Sequence, residues 1–199
     1  MGNRATGDRI SATLPADLLK VAAGLVLTAP FTPMLFMGEE WGARTPWQYF
    51  TDHTDPGLAR TVAEGRRAEF AEHDWPASEV PDPQDPATFE RSKLDWSQPQ
   101  APGHRDLLAW YRELIALRRS RPELTDPRLD EVRADFSDAG RWIVVHRGRL
   151  RIAANTGPAV QRLPAGPGQG IVLAASTAGI TVTGGTVVLP PAALAVVLS

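Results

Sequence analysis

Two adjacent carboxylates, Glu39 and Glu40, head a stretch dense in rings: Trp41, Trp47, Tyr49 and Phe50, followed by Asp52 and His53. Two carboxyl groups share acid–base work when they face one reacting bond from opposite sides. Glu39 and Glu40 follow a short apolar run, Pro33–Met37, that reads as a strand. Neighbouring residues on a strand point to opposite faces, so these two are expected to be structural carboxylates and not a catalytic couple. The rings suit another task. An aromatic face takes up the apolar face of a ligand, and Asp52 and His53 offer hydrogen-bonding groups for its polar rim. The same rings would equally serve to pack a long loop onto the body of the protein. Residue type alone leaves both readings open.

Other chemistries find little support. The four histidines, His53, His73, His104 and His146, lack the spacing of metal ligands. There is no cysteine, which excludes disulfides and thiolate metal sites. No Ser-His-Asp grouping or phosphate-cradling glycine loop stands out, and Gly184-Gly185 reads as a turn. Asp and Glu number 23 against 21 Lys and Arg, a net charge of −2, so no basic excess exists to neutralise a nucleic acid. No cofactor and no metal is expected. The first residues lack the apolar core of a secretory signal. The apolar stretch Val21–Met37 is interrupted by Pro30 and Pro33, whereas a membrane span needs roughly 20 unbroken apolar residues. A cytoplasmic protein without membrane contact is expected.

The elements that must position these residues follow from periodicity. Residues 14–28 suit a largely buried helix, with apolar residues at helical spacing and Asp17 in its first turn. Pro30 and Pro33 end it, and Pro33–Met37 then reads as a strand covered on both faces, as in a parallel sheet. Residues 42–103 form a long stretch rich in Pro, Asp, Gln and aromatics, with short helices expected at Leu58–Phe70 and Thr88–Asp95. Asp8 and Arg9 read as a local turn pair. Residues 104–120 form the clearest helix, acidic early and basic late, as the helix dipole prefers. Beyond residue 124 the texture changes to short strands between turns: Trp142–His146, Leu150–Asn155, Ile171–Ala175, Ile180–Thr183, Val187–Leu189 and Ala193–Leu198. The fold class is thus α/β plus all-β, with a boundary near residue 124 and a small antiparallel β-sandwich after it.

Three stretches carry a resemblance. PMLFMGEEWG (33–42) resembles the eighth barrel strand and following turn of the α-amylase superfamily. GNRATGDRIS (2–11) is similar to the sequence directly after that superfamily's fourth motif, which ends in the third catalytic Asp. LIALRRSRPEL (114–124) resembles its last barrel helix. Within the superfamily (glycoside hydrolase family 13), MGEEWG, YFTDH, EGRRAEF and DPQDPATFERSKLDW are most similar to malto-oligosyltrehalose trehalohydrolase.

The resemblance implies the last part of a (β/α)8 TIM barrel over residues 1–124, with a loop insertion at 42–103, and a C-terminal β-sandwich over 125–199. It implies hydrolysis of the α-1,4 bond next to the terminal trehalose of maltooligosyl trehalose, or of a related α-glucan. That retaining chemistry needs two carboxyl groups about 5–5.5 Å apart, and the segments that carry them in the family are not found in this sequence. Met1 stands where the family usually has Val or Ile, so the chain is expected to be a C-terminal fragment, inactive by itself. Asn3 and Arg4 would lie directly after the missing Asp, at the edge of the site, although Arg4 or Arg9 would serve equally in a structural salt bridge. Trp41, Trp47, Tyr49, Phe50, Asp52 and His53 become candidate sugar contacts. Alternative readings are another superfamily member, such as a glycogen branching enzyme, and a non-catalytic carbohydrate-binding remnant. The β region from about Thr125 is expected to keep much of its own core.

Overall fold

The computed structural model describes residues 4–199. Helices α1 (Ala16–Thr28), α2 (Pro56–Ala71), α3 (Pro86–Ser92) and α4 (Pro102–Ser120) precede the strands. These are β1 (Val132–Ser137), β2 (Trp142–Arg147), β3 (Leu150–Asn155), β4 (Gln161–Pro164), β5 (Ile171–Ala175), β6 (Thr181–Thr183), β7 (Thr186–Leu189) and β8 (Ala193–Leu198). No helix among the described residues is long and apolar enough to cross a membrane.

Helices α2 and α3 begin two residues earlier than their apolar patterns suggest, because each opens on Asp-Pro. The carboxylates of Asp55 and Asp85 accept hydrogen bonds from Leu58 N (2.8 Å) and Ala87 N (2.9 Å), and the following proline occupies the first helical turn. A proline costs nothing there, since the N–H it lacks would have no partner inside the helix.

The strands form two antiparallel sheets, one in the order β1-β2-β3-β8-β5 and the other β4-β7-β6. The centre of the first sheet explains the sequence of β8, ALAVVL, which is apolar at every position. Leu194 and Val196 face one core together with Leu150, Ile152 and Ala154 of β3. Ala193, Ala195 and Val197 face the other, between the two sheets, with Ala153, Leu163, Val187 and Leu189. A strand buried on both sides loses the polar alternation of a half-exposed one.

The first core is closed by helices. Val21, Ala23 and Leu27 of α1 and Leu107, Trp110, Tyr111 and Leu114 of α4 lie against the sheet. Gly24 lets α1 approach closely: a Cβ there would stand 2.7 Å from a methyl of Leu194. Trp110 Nε1 donates to Lys20 O (2.9 Å) and ties α4 to α1. Two arginines finish α1. Arg118 donates to Leu27 O (2.8 Å), Ala29 O (2.9 Å) and Phe31 O (3.0 Å). Arg147, buried in β2, donates to Thr28 O (3.0 Å) and Asp126 O (2.7 Å). The bonds to Leu27 O and Thr28 O satisfy carbonyls that the C-terminus of α1 leaves without partners.

The strand expected at Pro33–Met37 is not formed. Strand pairings among the described residues are all antiparallel and none includes this segment. A strand exists only through ladder bonds to a neighbour, and here its apolar side chains lie open instead, with Met34 88% exposed. Between the two sheets the β region has a core built from its own residues, while the other face of the first sheet is covered by α1 and α4.

Candidate functional site

The chain leaves the 33–37 segment through a tight turn, Gly38–Gly42, whose terminal glycines both adopt left-handed backbone (φ 87° and 67°). Within it Glu39–Trp41 is a single 3-10 turn, so Glu39 and Glu40 are not on a strand. Glu39 Oε2 accepts from Phe36 N (3.0 Å), and Tyr111 OH donates to Glu39 Oε1 (3.5 Å). Glu39 thus holds its own turn. Burial, and then the charge of Glu39, push the Tyr111 hydroxyl well above the ordinary tyrosine range.

Beyond this turn the rings converge. Phe36 and Trp47 meet edge-to-face at 5.3 Å between centroids, Trp47 and Phe50 at 5.3 Å, and Phe50 and Phe89 at 5.0 Å. Aromatic quadrupoles favour this geometry. Trp47, Phe50 and Phe89, with Met37, Leu94 and Trp96, line a groove of about 470 Å3. Trp96 is 72% exposed, a large ring presented to solvent at the groove. Lys93 adds a polar rim; its ammonium lies 4.6 Å from the Phe89 ring centroid and pairs with Glu90 at 2.7 Å. The arrangement offers flat apolar faces beside a few polar groups, as a ligand with both characters requires.

The other candidates lie elsewhere. Trp41 is only 3% exposed, and its ring centroid is 5.2 Å from that of Trp96. Tyr49 meets the Arg66 guanidinium of α2 at 4.8 Å, and the same guanidinium lies 4.8 Å from Phe70. Asp52 is exposed. His53 is held through its backbone: its N donates to Gln84 Oε1 (3.0 Å) and its O accepts from Gln84 Nε2 (3.1 Å). Gln84 therefore stands in for a strand partner, a role that no feature of the sequence singled out. Asn3 lies outside the described residues.

A second cavity, of about 490 Å3, lies beside the first turns of the chain and includes Arg4, Asp8, Arg9, Glu39 and Tyr111 in its lining. Asp8 pairs with Arg4 (Nε to Oδ1, 2.7 Å) and not with Arg9. Arg4 and Thr6 both donate to the Asp8 carboxylate, and the Arg4 bond foremost holds it below the usual carboxylate range. Arg9 is instead buried. Burial lowers its pKa, and the carboxylates of Glu39 and Glu40 partly oppose that shift.

A family described as "Domain of unknown function (DUF3459)" matches residues 127–196, the two-sheet region. A malto-oligosyltrehalose trehalohydrolase from a Rhizobium species is 49% identical over 98% of this chain and 33% of its own length. One from Arthrobacter ramosus is 54% identical over 82% of this chain and 28% of its own length. The chain belongs to the malto-oligosyltrehalose trehalohydrolase family, matching its C-terminal portion. It spans about a third of the length of these curated relatives. An α-amylase-like protein of known structure from Salmonella typhimurium is 38% identical and superposes with a TM-score of 0.81 over 100% of this chain and 33% of its own. The two antiparallel sheets of this trehalohydrolase-family chain are consistent with a C-terminal sheet domain of an α-amylase-family enzyme.

Proposed function

We propose that this chain is the C-terminal part of a glycoside hydrolase that releases trehalose from maltooligosyl trehalose. In this reading residues 1–124 complete a (β/α)8 barrel, residues 42–103 are its loop insertion, and residues 125–199 form the sandwich that braces it. Pro33–Met37 is the barrel's last strand, and its ladder partners come from the remainder of the longer protein. The observation that carries the reading is the aromatic groove: Trp47 and Phe50 line a concave apolar surface just past that segment. A pyranose ring has an apolar face that stacks on such rings, and its hydroxyls seek polar partners such as Lys93 at the groove. Asn3 and Arg4 belong to the edge of the reacting site, with Arg4 fixed there by Asp8.

The chain itself contributes binding and no bond cleavage. A retaining hydrolase needs two carboxyl groups about 5–5.5 Å apart and facing one bond, whereas Glu39 is occupied by Phe36 N and Tyr111. Residues 1–199 alone should therefore release no trehalose. The longer protein should do so, and Trp47→Ala in it should lower kcat/KM about tenfold or more, the loss of one good stacking contact. An unchanged kcat/KM for Trp47→Ala and Phe50→Ala in folded protein would return these rings to a packing role. Glucose-chain transfer in place of trehalose release would point to a branching enzyme.

A further inference from the structure

Arg9 is 4% exposed, yet among the described residues no carboxylate makes a hydrogen bond to it. It belongs to a segment laced to the loop that bears the groove. Trp47 N donates to Gly7 O (2.7 Å), Gln48 Nε2 to Thr6 O (3.4 Å), and Ser11 Oγ to Ala43 O (2.8 Å). Gly7 has no room for a side chain, since a Cβ would fall 2.2 Å from Trp47 O. Arg9 makes the widest link. Its Nη1 donates to Met37 O (2.8 Å) and its Nε to Thr45 O, so one guanidinium joins the backbone just before the Gly38–Gly42 turn to the backbone three residues after it. The guanidinium also lies 5.6 Å from the Phe36 ring centroid, and Phe36 packs on Trp47.

A guanidinium is planar, with donors at fixed angles, so it imposes a separation and an orientation on two carbonyls, which a flexible ammonium does not. Its remaining nitrogen, Nη2, is buried and has no partner among the described residues. A buried donor without a partner costs stability.

We propose that Arg9 is a positioning residue for glucan binding: it sets the place of Trp47 in the groove without touching the ligand. The proposal rests on the groove being the glucan site. Arg9 anchors the backbone on either side of the turn, at Met37 and Thr45, and the Phe36 ring, on which Trp47 packs. Loss of either anchor lets Trp47 leave the edge-to-face position it holds against Phe50 in the groove lining.

The test uses residues 1–199 with 5-fluorotryptophan at the six tryptophans, 19F NMR, and maltoheptaose as the probe. The Trp47 signal is assigned by its loss in Trp47→Phe. In Arg9→Met the Trp47 signal should shift and broaden while the signals of Trp110 and Trp142 stay in place, and the Kd for maltoheptaose should rise at least fivefold. Arg9→Lys keeps the charge but not the fork, and should restore neither the signal nor the affinity. If Arg9→Met fails to fold, with all signals collapsing, Arg9→Lys carries the same comparison. A Trp47 signal that stays in place in the folded variants overturns the proposal, as does unchanged affinity in them when Trp47→Ala itself weakens binding. If wild type does not bind maltoheptaose, or binds it equally well after Trp47→Ala, the groove reading falls and the role of Arg9 falls with it.

Discussion

Replacing Arg147 with methionine sets two effects against each other. The side chain is 2% exposed, and burial, with a smaller part from the charge of Arg118, lowers its pKa. Removing a buried charge relieves that desolvation, and replacement by an apolar residue of similar size is often neutral where two charges are removed together. Here the partners are carbonyl oxygens that remain. Thr28 O and Asp126 O receive bonds of 3.0 and 2.7 Å from the guanidinium. Hydrogen bonds from a charged donor contribute about 1.5–3 kcal/mol each, and a buried acceptor left unpaired forfeits about 1–3 kcal/mol. Thr28 is buried, so water does not reach its carbonyl easily. Methionine roughly fills the space, which keeps any cavity contribution small. The orphaned carbonyls should win, and Arg147→Met should lower stability by about 2–4 kcal/mol, a large part of a typical 5–15 kcal/mol. Urea unfolding at pH 7, followed by far-UV circular dichroism, measures this as a fall in midpoint at constant slope. A change below about 0.5 kcal/mol, within the ordinary spread of surface substitutions, would refute the reasoning. It would mean that relief of desolvation cancels the loss, or that both carbonyls find new donors.

Other outcomes follow from the same contacts. Leu194→Ala removes a fully buried side chain between β8 and α1 and should cost about 2–5 kcal/mol in the same assay; a loss under 1 kcal/mol would mean that α1 settles into the gap. Asp126 is held at about 2 mainly by its hydrogen bonds with Arg128. A depressed carboxylate stabilises above its unfolded pKa, about 3.9, and that contribution fades as the pH falls toward 2. Asp126→Asn should therefore lower Tm at pH 7 and not at pH 2, and an equal effect at both would exclude ionisation as the cause. Phe31, Met34 and Met37 stand exposed in one short stretch, a pattern that favours association. Phe31→Ser with Met34→Lys should reduce self-association of residues 1–199 in sedimentation velocity, and an unaltered distribution would locate the adhesive surface elsewhere.

Some of this architecture could be read from residue order. β3, β5 and β8 run over the expected residues because each is a compact apolar run bounded by turn residues. Two strands escaped. β1, VRADFS, is an edge strand that places Arg133 and Asp135 in solvent, so its pattern is not that of a core element. β4, QRLP, is four residues long and ends in a proline, a signal that reads as loop. The failure at Pro33–Met37 is of another kind. Its residues are those of a buried strand, but pairing is a property of the neighbour and not of the segment. At the groove, the ring cluster at Trp47 and Phe50 could be anticipated as a density of aromatics. Phe89 and Trp96 lie some 40 residues away in sequence, and their meeting with the loop depends on tertiary packing that no local pattern encodes. From the sequence, Arg9 reads as half of a turn pair or as a salt-bridge former, because nothing in its neighbourhood announces that a charged side chain will be buried.

The sheet face that carries Leu150, Ile152, Leu194 and Val196 has its cover in α1 and α4, although the family match begins only at residue 127. A segment cut at that point and joined to an unrelated enzyme would arrive with an uncovered apolar side. The two-sheet region is therefore not a self-sufficient module for recombination. It can be exchanged between proteins only with its helices, or into a host whose helices already fit. The contact between Gly24 and Leu194 shows how close that fit is: a larger residue at 24 requires a smaller or rearranged one at 194.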